Sequence, residues 1–393
     1  MVPSAPAQPE VGMYDIVDYG LMIADERRMG AYAEALRRAV KPGAVVIDIG
    51  TGTGIFALIA CRLGARRVYA IEPDNSIHLA AEVAAANGYA DRIEFIQDIS
   101  TNAVLPETAD VIVSDIRGIL PLFSQHLPAI IDARRRLLAP EGILIPQCDT
   151  LWAAVVETSD LYRDFTRPWE ENAYGFDLRP ARKAAINSWR KARPGQKMLT
   201  EPACWAALDY TRVENPSARG ELSSRVSRDG TGHGVSIWFD ATPAAGLHFS
   251  NSPGEPQLAY GQAFFPWPDA VTLGVADEIK IVIQANLIGD DYVWRWKTRI
   301  FDQGNPKQVK ADFDQSTFFS MPLRAAGLRK QEAGYLPALN EAGRVRWLIL
   351  DLMNQHYSLG DIAGRIQNDF PVRFSEWQDA LQYVCEISAR YSQ

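Results

Sequence analysis

The sequence predicts an α/β domain with a doubly wound parallel sheet, then an antiparallel β-barrel with a helical arm, then a small winged-helix-like α+β domain. Three observations support this order. Short β-runs alternate with helical runs from residue 44 to about residue 146, which is typical of βαβ units. Strand-length runs rich in aromatic and β-branched residues follow over 199–302, and helical periodicity returns after about residue 312.

The length of the chain sets the expected number of domains. Because 393 residues exceed what one hydrophobic core fills, we expect two or three domains. We place their bounds at 13–146, 147–312 and 313–393, with the helical arm at about 160–198. Residues 1–12 lack the basic start and apolar core of a signal peptide, so we expect a disordered tail there.

Composition excludes several classes of protein. The net charge of −8 argues against general nucleic-acid binding, which needs a basic surface. No apolar run is long enough to span a membrane. The four cysteines lie far apart without a C-x-x-C pair, so we predict neither a metal site nor a disulfide framework, and we expect the reducing cytoplasm as location.

The most informative motif lies at residues 44–54, which read AVVIDIGTGTG. An apolar β-run ends at Asp48, and glycines follow at alternate positions 50, 52 and 54. This spacing predicts a strand that turns tightly into a helix N-terminus, where glycine lets a ligand approach the backbone. The next β-run, RVYAIE, ends at Glu72, where an acid suits the two hydroxyls of a ribose. The third glycine falls one residue earlier than in the G-x-G-x-x-G motif of nicotinamide enzymes.

Several strings together resemble the protein arginine methyltransferase family over roughly residues 13–302. They are YDIVDYG, MIADERRMGAY, IDIGTGTGIFALIACRLGARRVYAIE, SDIRG, LLAPEGILIPQ and WEENAYGFDL. The resemblance implies a class I methyltransferase that uses S-adenosylmethionine (SAM) and has a Rossmann-like cofactor domain. It also implies a homodimer, in which the arm docks on the cofactor domain of a second copy.

The resemblance gives a role in SAM binding to residues that lie along the first domain. They are Met22 near the sulfonium, Arg28 at the carboxylate, Asp48 with Gly50, Gly52 and Gly54 around the methionine and ribose, Glu72 at the ribose hydroxyls, and Asp98 at the adenine amino group. Three of these residues have alternative roles. Arg28 would pair with Asp25 on a solvated helix face, Asp98 would cap a loop, and Met22 would fill the core.

The substrate end departs from the family pattern. The family holds a guanidinium between two glutamates at the first and last positions of a ten-residue stretch, which here reads DIRGILPLFS from Asp115 to Ser124. Arg117 replaces an apolar or methionine residue, and the Thr-His-Trp loop of the family reads LAY over 258–260. Since a like charge disfavours a cationic substrate, we expect Asp115 to orient a different nucleophile. His126 is either a base at the pocket rim or a residue of a helix surface.

The C-terminal string LRKQEAGYLPALNEAGRVRWLILDLMNQHYSLGDIAGRI resembles small winged-helix modules similar to the PQQ-biosynthesis peptide chaperone. It predicts a β-ribbon from LRKQEAG and YLPALN, followed by three helices, the second beginning at Ser358. Such modules bind an extended leader segment by strand addition. The resemblance implies a ribosomally made, leader-bearing peptide as the substrate, and a generic packing or oligomerisation domain is the alternative.

Three functions therefore remain open. The first is a SAM-dependent methyltransferase that modifies a side chain of a leader-bearing peptide. The second is an arginine N-methyltransferase that acts on proteins or on a small-molecule natural product. The third is a scaffold that binds SAM without turnover.

Overall fold

The computed structural model describes residues 15–172, 174–192, 195–305, 308–321, 329–330 and 332–392. These residues form two compact units, Met1–Pro322 and Leu323–Gln393. The tail predicted over residues 1–12 lies outside the described residues. Within the described ranges, no helix is both long and apolar enough to cross a bilayer.

Two helices precede the first sheet. Helix α1 covers Ile16–Ala24, and helix α2 covers Glu26–Ala39. Each begins at an aspartate whose side chain accepts a backbone N–H of the first turn, Asp15 for α1 and Asp25 for α2. These caps satisfy N–H groups that have no partner within the helix.

A five-stranded parallel sheet follows and confirms the predicted fold class of the first domain. Its strands are β1 Val45–Ile49, β2 Arg67–Ile71, β3 Ile93–Ile96, β4 Ala109–Ser114 and β5 Leu138–Ile145, in the order β3-β2-β1-β4-β5. The connecting helices are α3 Ile55–Arg62, α4 Ser76–Ala86 and α5 His126–Arg136. The strand order reverses between β1 and β4, and open α/β sheets bind ligands at the carboxyl ends of such strands.

The next segment forms antiparallel sheets, as predicted. The strands are β6 Cys148–Glu157, β7 Arg190–Lys191, β8 Lys197–Met198, β9 Ala203–Asp209, β10 Ala218–Arg225, β11 Gly230–Ala244, β12 Leu247–Ser250, β13 Ala263–Leu273, β14 Glu278–Ile288, β15 Asp291–Phe301 and β16 Val309–Ser316. One sheet has the order β10-β14-β15-β16. The other has the order β7-β13-β11-β6-β8, with β12 beside β11 and β9 beside β6. Strand β16 crosses the boundary that we predicted at residue 312.

Buried aromatic side chains fill the space between these sheets. Trp205 meets Trp294 edge to face at 6.1 Å between ring centroids, and Phe265 meets Trp296 at 5.1 Å. All four side chains are buried. Rings in such arrangements add to the stability that burial of apolar surface provides.

The arm contains two helices, α6 Ser159–Glu170 and α7 Arg179–Ala185. Leu161 and Phe165 of α6 pack against Phe264 of β13 in a small core. The tip between the helices is different, because Tyr174 and Phe176 are 80% and 70% exposed.

The second unit consists of three helices, α8 Glu341–Asn354, α9 Leu359–Asp369 and α10 Trp377–Tyr391. They share a core that includes Val345, Ile349, Ile362, Ile366 and Val384. Ser358 caps α9, as predicted, by accepting the backbone N–H of Asp361 at 3.2 Å.

The β-ribbon that we predicted before these helices is wrong for the described residues. None of residues 329–330 and 332–340 lies in a strand, whereas Leu328 and Gln331 lie outside the description. Pro337 has no N–H to donate to a neighbouring strand. Leu336 and Leu339 are exposed, so the segment gains no buried apolar face that would hold it in a sheet.

Candidate active site

The glycine turn after β1 has the conformation that its sequence predicts. Gly50, Gly52 and Gly54 have φ values of 72°, 52° and 86°, in the left-handed region that glycine adopts without strain. Buried Asp48 holds this turn on the start of α3. Its Oδ2 accepts the Thr51 hydroxyl at 2.6 Å and the Ala57 backbone N–H at 3.0 Å. Burial raises the pKa of Asp48 to about 7.

Two side chains lie directly over the turn. A Cβ atom at Gly50 would be 2.1 Å from Cγ2 of Ile116, in the segment after β4. A Cβ atom at Gly52 would be 2.4 Å from Cε1 of Tyr19, in α1. Both glycines are therefore required for packing as well as for backbone conformation.

Glu72 faces the same turn from the end of β2. Its Oε2 accepts the Gly52 backbone N–H at 3.0 Å, and its Oε1 accepts the Asp74 N–H at 3.1 Å. Burial raises the pKa of Glu72 above its ordinary value. The carboxylate thus lies beside the glycine turn, at the position where we predict ribose binding.

Asp98 caps a loop, which is the alternative that the sequence left open. Its Oδ1 accepts the Ile99 backbone N–H at 2.7 Å and the side-chain amide of Asn102 at 3.0 Å. A contact of Asp98 with adenine stays a prediction.

Arg28 is buried, so the predicted alternative of a solvated pair with Asp25 is wrong. Its Nε donates to Asp115 Oδ2 at 2.5 Å and to the Tyr260 hydroxyl at 3.0 Å. Its Nη1 donates to the backbone carbonyl of half-buried Met22 at 2.9 Å. Asp25 instead caps α2 and accepts the Ala259 backbone N–H at 3.0 Å.

Arg117 joins the same network from the other side of Asp115. Its Nη1 donates to Asp115 Oδ1 at 3.1 Å, and its Nε donates to Asp149 Oδ2 at 2.8 Å. The Tyr260 hydroxyl donates to Asp115 Oδ2 at 2.5 Å, and the Tyr210 hydroxyl donates to Asp149 Oδ2 at 2.6 Å. Two guanidinium groups and two carboxylates therefore form one buried chain of ion pairs.

The sequence analysis missed Asp149, Tyr210 and the direct role of Tyr260. The sequence does carry a signal for Asp149, because this acid precedes the apolar run LWAAVV of the strand CDTLWAAVVE. An acid in such a strand is rarely buried without a partner. Its partner, Arg117, belongs to a different element of the chain and cannot be found from local spacing.

The charges of this network stabilise one another. Burial by itself would raise the pKa of Asp115, but the charges of Arg28 and Arg117 outweigh burial and hold that pKa below its ordinary value. Burial would lower the pKa of Arg117, but the Asp149 and Asp115 carboxylates outweigh it and raise that pKa. Asp115 and Arg117 are therefore both charged at neutral pH.

Ser124 and His126 end the segment that carries Asp115 and Arg117. Ser124 is half-buried and has a φ of 42°, in the left-handed region. His126 is buried at the start of α5, so the predicted position on a helix surface is wrong. Burial lowers its pKa to about 4, and its Nδ1 lies 2.7 Å from the carbonyl of Pro121. The neutral ring donates from this nitrogen and ties the segment to the helix.

Two family models match overlapping parts of the chain. The model described as "Ribosomal protein L11 methyltransferase (PrmA)" matches residues 32–158. The model described as "Arginine methyltransferase oligomerization subdomain" matches residues 147–299. The first covers the parallel sheet with its glycine turn, and the second covers the arm and most of the antiparallel sheets.

Curated relatives extend over both parts. Protein arginine N-methyltransferase 6 of Xenopus tropicalis is 31% identical over 245 residues, which are 58% of this chain and 71% of that protein. The same protein of Danio rerio is 31% identical over 275 residues, 65% of this chain and 78% of the relative. For "Probable protein arginine N-methyltransferase 6" of Arabidopsis thaliana the identity is 30%, and the match spans only 52% of the relative's length.

Solved structures show the same fold. The "Trypanosoma brucei PRMT1 enzyme-prozyme heterotetrameric complex with AdoHcy" aligns with a TM-score of 0.68 at 20% identity, over 76% of this chain and 96% of that one. Arabidopsis thaliana protein arginine methyltransferase 10 aligns with a TM-score of 0.66 at 22% identity, over 77% and 97%. The two vertebrate relatives are each 31% identical to this chain, and the matches span more than two thirds of their length. The chain therefore belongs to the protein arginine N-methyltransferase family, whose members are SAM-dependent methyltransferases.

Proposed function

We propose that this chain methylates a side chain of a leader-bearing peptide, and that the acceptor is not an arginine guanidinium. SAM would supply an electrophilic methyl group on a sulfonium that leaves readily. The protein's contribution is then to bind, orient and desolvate the two reactants. A neutral nucleophile, such as an imidazole, amide or hydroxyl group, or a carboxylate suits this arrangement.

The residues around the glycine turn support SAM as the cofactor. The turn lies at the switch point of the sheet, and Glu72 offers carboxylate oxygens beside it. Arg28 supplies a guanidinium, a group that binds carboxylates, and we propose that it donates to the carboxylate of SAM beside its bonds to Asp115 and Met22. We propose that Met22, whose carbonyl already contacts Arg28, lies at the reacting methyl group.

The charge of the acceptor is the point at which the site differs from an arginine pocket. Asp115 accepts hydrogen bonds from Arg28, Arg117 and Tyr260, so both of its oxygens are engaged. Ser124, at the end of the same segment, brings no second carboxylate. A cationic side chain would find both oxygens of Asp115 occupied and two guanidinium groups beside them, which disfavours its binding. This engagement of Asp115 is the observation that carries the proposal.

We propose that the second unit binds the leader segment of the peptide. Trp347 and Leu350 of α8 are three residues apart, so they share one helix face, and both side chains are exposed. An exposed apolar face of this kind suits the apolar side of a leader segment. Because the described residues before α8 form no ribbon, we place the contact on the helices rather than on a strand edge.

We also propose a homodimer in which the arm contacts the cofactor domain of a second copy. The match of residues 147–299 to an oligomerisation subdomain supports it. So do the exposed aromatic side chains of Tyr174 and Phe176 at the tip of the arm. Burial of two such rings is worth a few kcal/mol in an interface.

The test of the cofactor site is the variant Gly50→Arg. We expect it to lose SAM binding by isothermal calorimetry, because the added side chain enters the space of Ile116. Gly88→Arg is the matched control, since Gly88 has the same φ, 73°, and open space around it. Equal SAM affinity of Gly50→Arg and wild type would contradict the proposed site.

The test of the acceptor uses labelled SAM. The enzyme is incubated with a candidate leader peptide and, separately, with arginine-rich proteins, and the methylated residue is located by mass spectrometry. We expect label on a residue of the peptide other than arginine. Methylarginine in either substrate would refute the proposed acceptor, and SAM binding without any transfer would favour the scaffold.

A further inference from the structure

The side chain of Arg117 lies in an enclosure of a specific composition, which we call the Arg117 cage. Its solvent-exposed fraction is 0%. Asp115 accepts a hydrogen bond from its Nη1 at 3.1 Å, and Asp149 accepts one from its Nε at 2.8 Å. Aromatic rings approach its central carbon, with centroid distances of 5.2 Å for Phe239, 5.7 Å for Phe249, and 5.9 Å for both Tyr32 and Tyr260.

This composition is that of a binding site for a planar cation. Carboxylates at the edge satisfy the fork of N–H donors, and aromatic faces stabilise the delocalised charge. The cage is built by distant parts of the chain, since Asp149 belongs to β6, Phe239 to β11 and Phe249 to β12. The surrounding fold therefore forms most of the cage independently of the segment that carries Arg117.

The fit of Arg117 to the cage is incomplete. Its Nη2 is buried and has no hydrogen-bond partner among the described residues. Arg117 reaches the cage from a position only two residues beyond Asp115, which limits how its guanidinium is oriented. A guanidinium that is not attached to this segment has more freedom to satisfy its donors.

We propose that the Arg117 cage is a guanidinium-binding site that the chain fills with its own arginine. Arg117 is then a built-in competitor, and removal of its side chain creates a site for a free guanidinium cation. The Arg117 cage includes Asp115, so its meaning for the choice of acceptor rests on the proposed function. Guanidinium binding itself requires neither SAM nor methyl transfer.

The experiment is chemical rescue of the full-length variant Arg117→Ala by methylguanidinium. We expect a saturable rise in melting temperature and a calorimetric binding signal with methylguanidinium, at least tenfold tighter than for the wild-type protein. Methylammonium, which has the same charge but no planar fork, serves as the comparison ligand and should bind at least tenfold more weakly.

Two further variants keep the result interpretable. Arg295→Ala removes an exposed arginine that pairs with Asp314 at 2.7 Å, and it should gain no methylguanidinium binding. The double variant Arg117→Ala/Asp149→Asn removes one carboxylate of the cage and should lose at least tenfold in affinity relative to Arg117→Ala. If Arg117→Ala folds poorly, refolding with and without methylguanidinium replaces the melting experiment, and a higher soluble yield with the ligand is expected.

Two outcomes would overturn the proposal. One is equal binding of methylguanidinium to Arg117→Ala and to Arg295→Ala. Another is equal stabilisation of Arg117→Ala by methylguanidinium and methylammonium. Either result would mean that Arg117 and Asp149 form only a structural ion pair. Because all readouts are binding or stability, failure here leaves the methyltransfer experiment unaffected, and failure of methyl transfer leaves this one unaffected.

Discussion

Asp149 shows how much a single buried charge depends on its partners. Its carboxylate is buried in β6, and it accepts hydrogen bonds from Arg117 and Tyr210. Taking a carboxylate out of water is costly, and burial raises the pKa of Asp149 above its ordinary value even though Arg117 and Tyr210 lower it. Through Arg117, the same ion pair also sets the charge beside Asp115.

We expect Asp149→Ala to lower the free energy of unfolding by about 3–5 kcal/mol, because it breaks a buried ion pair and leaves a buried cation underpaired. Urea denaturation followed by circular dichroism measures this loss. The double variant Arg117→Met/Asp149→Ala, which removes both charges, should regain most of it. A double variant no more stable than Asp149→Ala would show that the charge itself is not the cause.

The pH dependence of stability follows from Asp48. Burial raises its folded pKa to about 7, whereas the unfolded value is about 3.9. Between these values the folded state binds more protons, so the contribution of Asp48 to stability falls as pH rises through this window. Each unit of difference between the folded and unfolded pKa changes the free energy of unfolding by about 1.4 kcal/mol.

The measurement compares unfolding free energies at pH 5 and pH 8 for wild type and Asp48→Asn, without SAM. Wild type should lose more stability than the variant over this interval, because the amide does not titrate. Other groups contribute equally to both proteins, so the difference between the profiles isolates Asp48. Parallel profiles would contradict a raised pKa for this carboxyl.

At the scale of elements, the arm has two faces with different roles. Leu161 and Phe165 anchor α6 on the antiparallel sheet, while the tip presents exposed rings. An exposed pair of large aromatic side chains on an anchored element is typical of an interaction surface. The base of the arm is therefore packed on the sheet, and its tip presents exposed aromatic side chains.

We expect the double variant Tyr174→Glu/Phe176→Glu to be monomeric, because charged side chains at the centre of an interface disfavour association. Multi-angle light scattering at micromolar concentration is the measurement, with wild type expected at the mass of a dimer. Arg167→Ala is the control, since it removes only an exposed ion pair with Glu171. A monomeric wild-type protein would contradict the proposed dimer.

At the scale of the whole molecule, the chain consists of two units with separate hydrophobic cores. The last strand of the first unit, β16, ends at Ser316. Removal of the second unit after residue 322 therefore leaves both antiparallel sheets complete, whereas a cut at residue 315 would shorten β16.

We expect a chain that ends at residue 322 to bind SAM with unchanged affinity, because every residue of the proposed cofactor site lies in the first unit. Its KM for a leader-bearing peptide should rise at least tenfold, since the second unit is proposed to raise the local concentration of the acceptor. Steady-state kinetics with and without the leader measures this effect. Undiminished efficiency of the truncated enzyme would assign the second unit a structural role.

The sequence by itself determined the parallel sheet, the antiparallel sheets, the glycine turn and the cap of α9. These features depend on short-range patterns: the periodicity of apolar residues, the conformational freedom of Gly50 and Gly52, and the hydroxyl of Ser358 before α9. Each can be evaluated within a window of a few residues. The family strings add the cofactor, because the same short segments carry the residues that we propose bind it.

Only the tertiary structure decided which charged and aromatic side chains surround Asp115. Asp149 meets Arg117 across 32 positions of sequence, and Tyr260 meets Asp115 across 145. Such contacts depend on how the two sheet systems pack, which local propensity does not encode. The burial of His126 and the absence of a strand over residues 332–340 have the same origin, because a segment's final environment is set by the surfaces that cover it or leave it exposed.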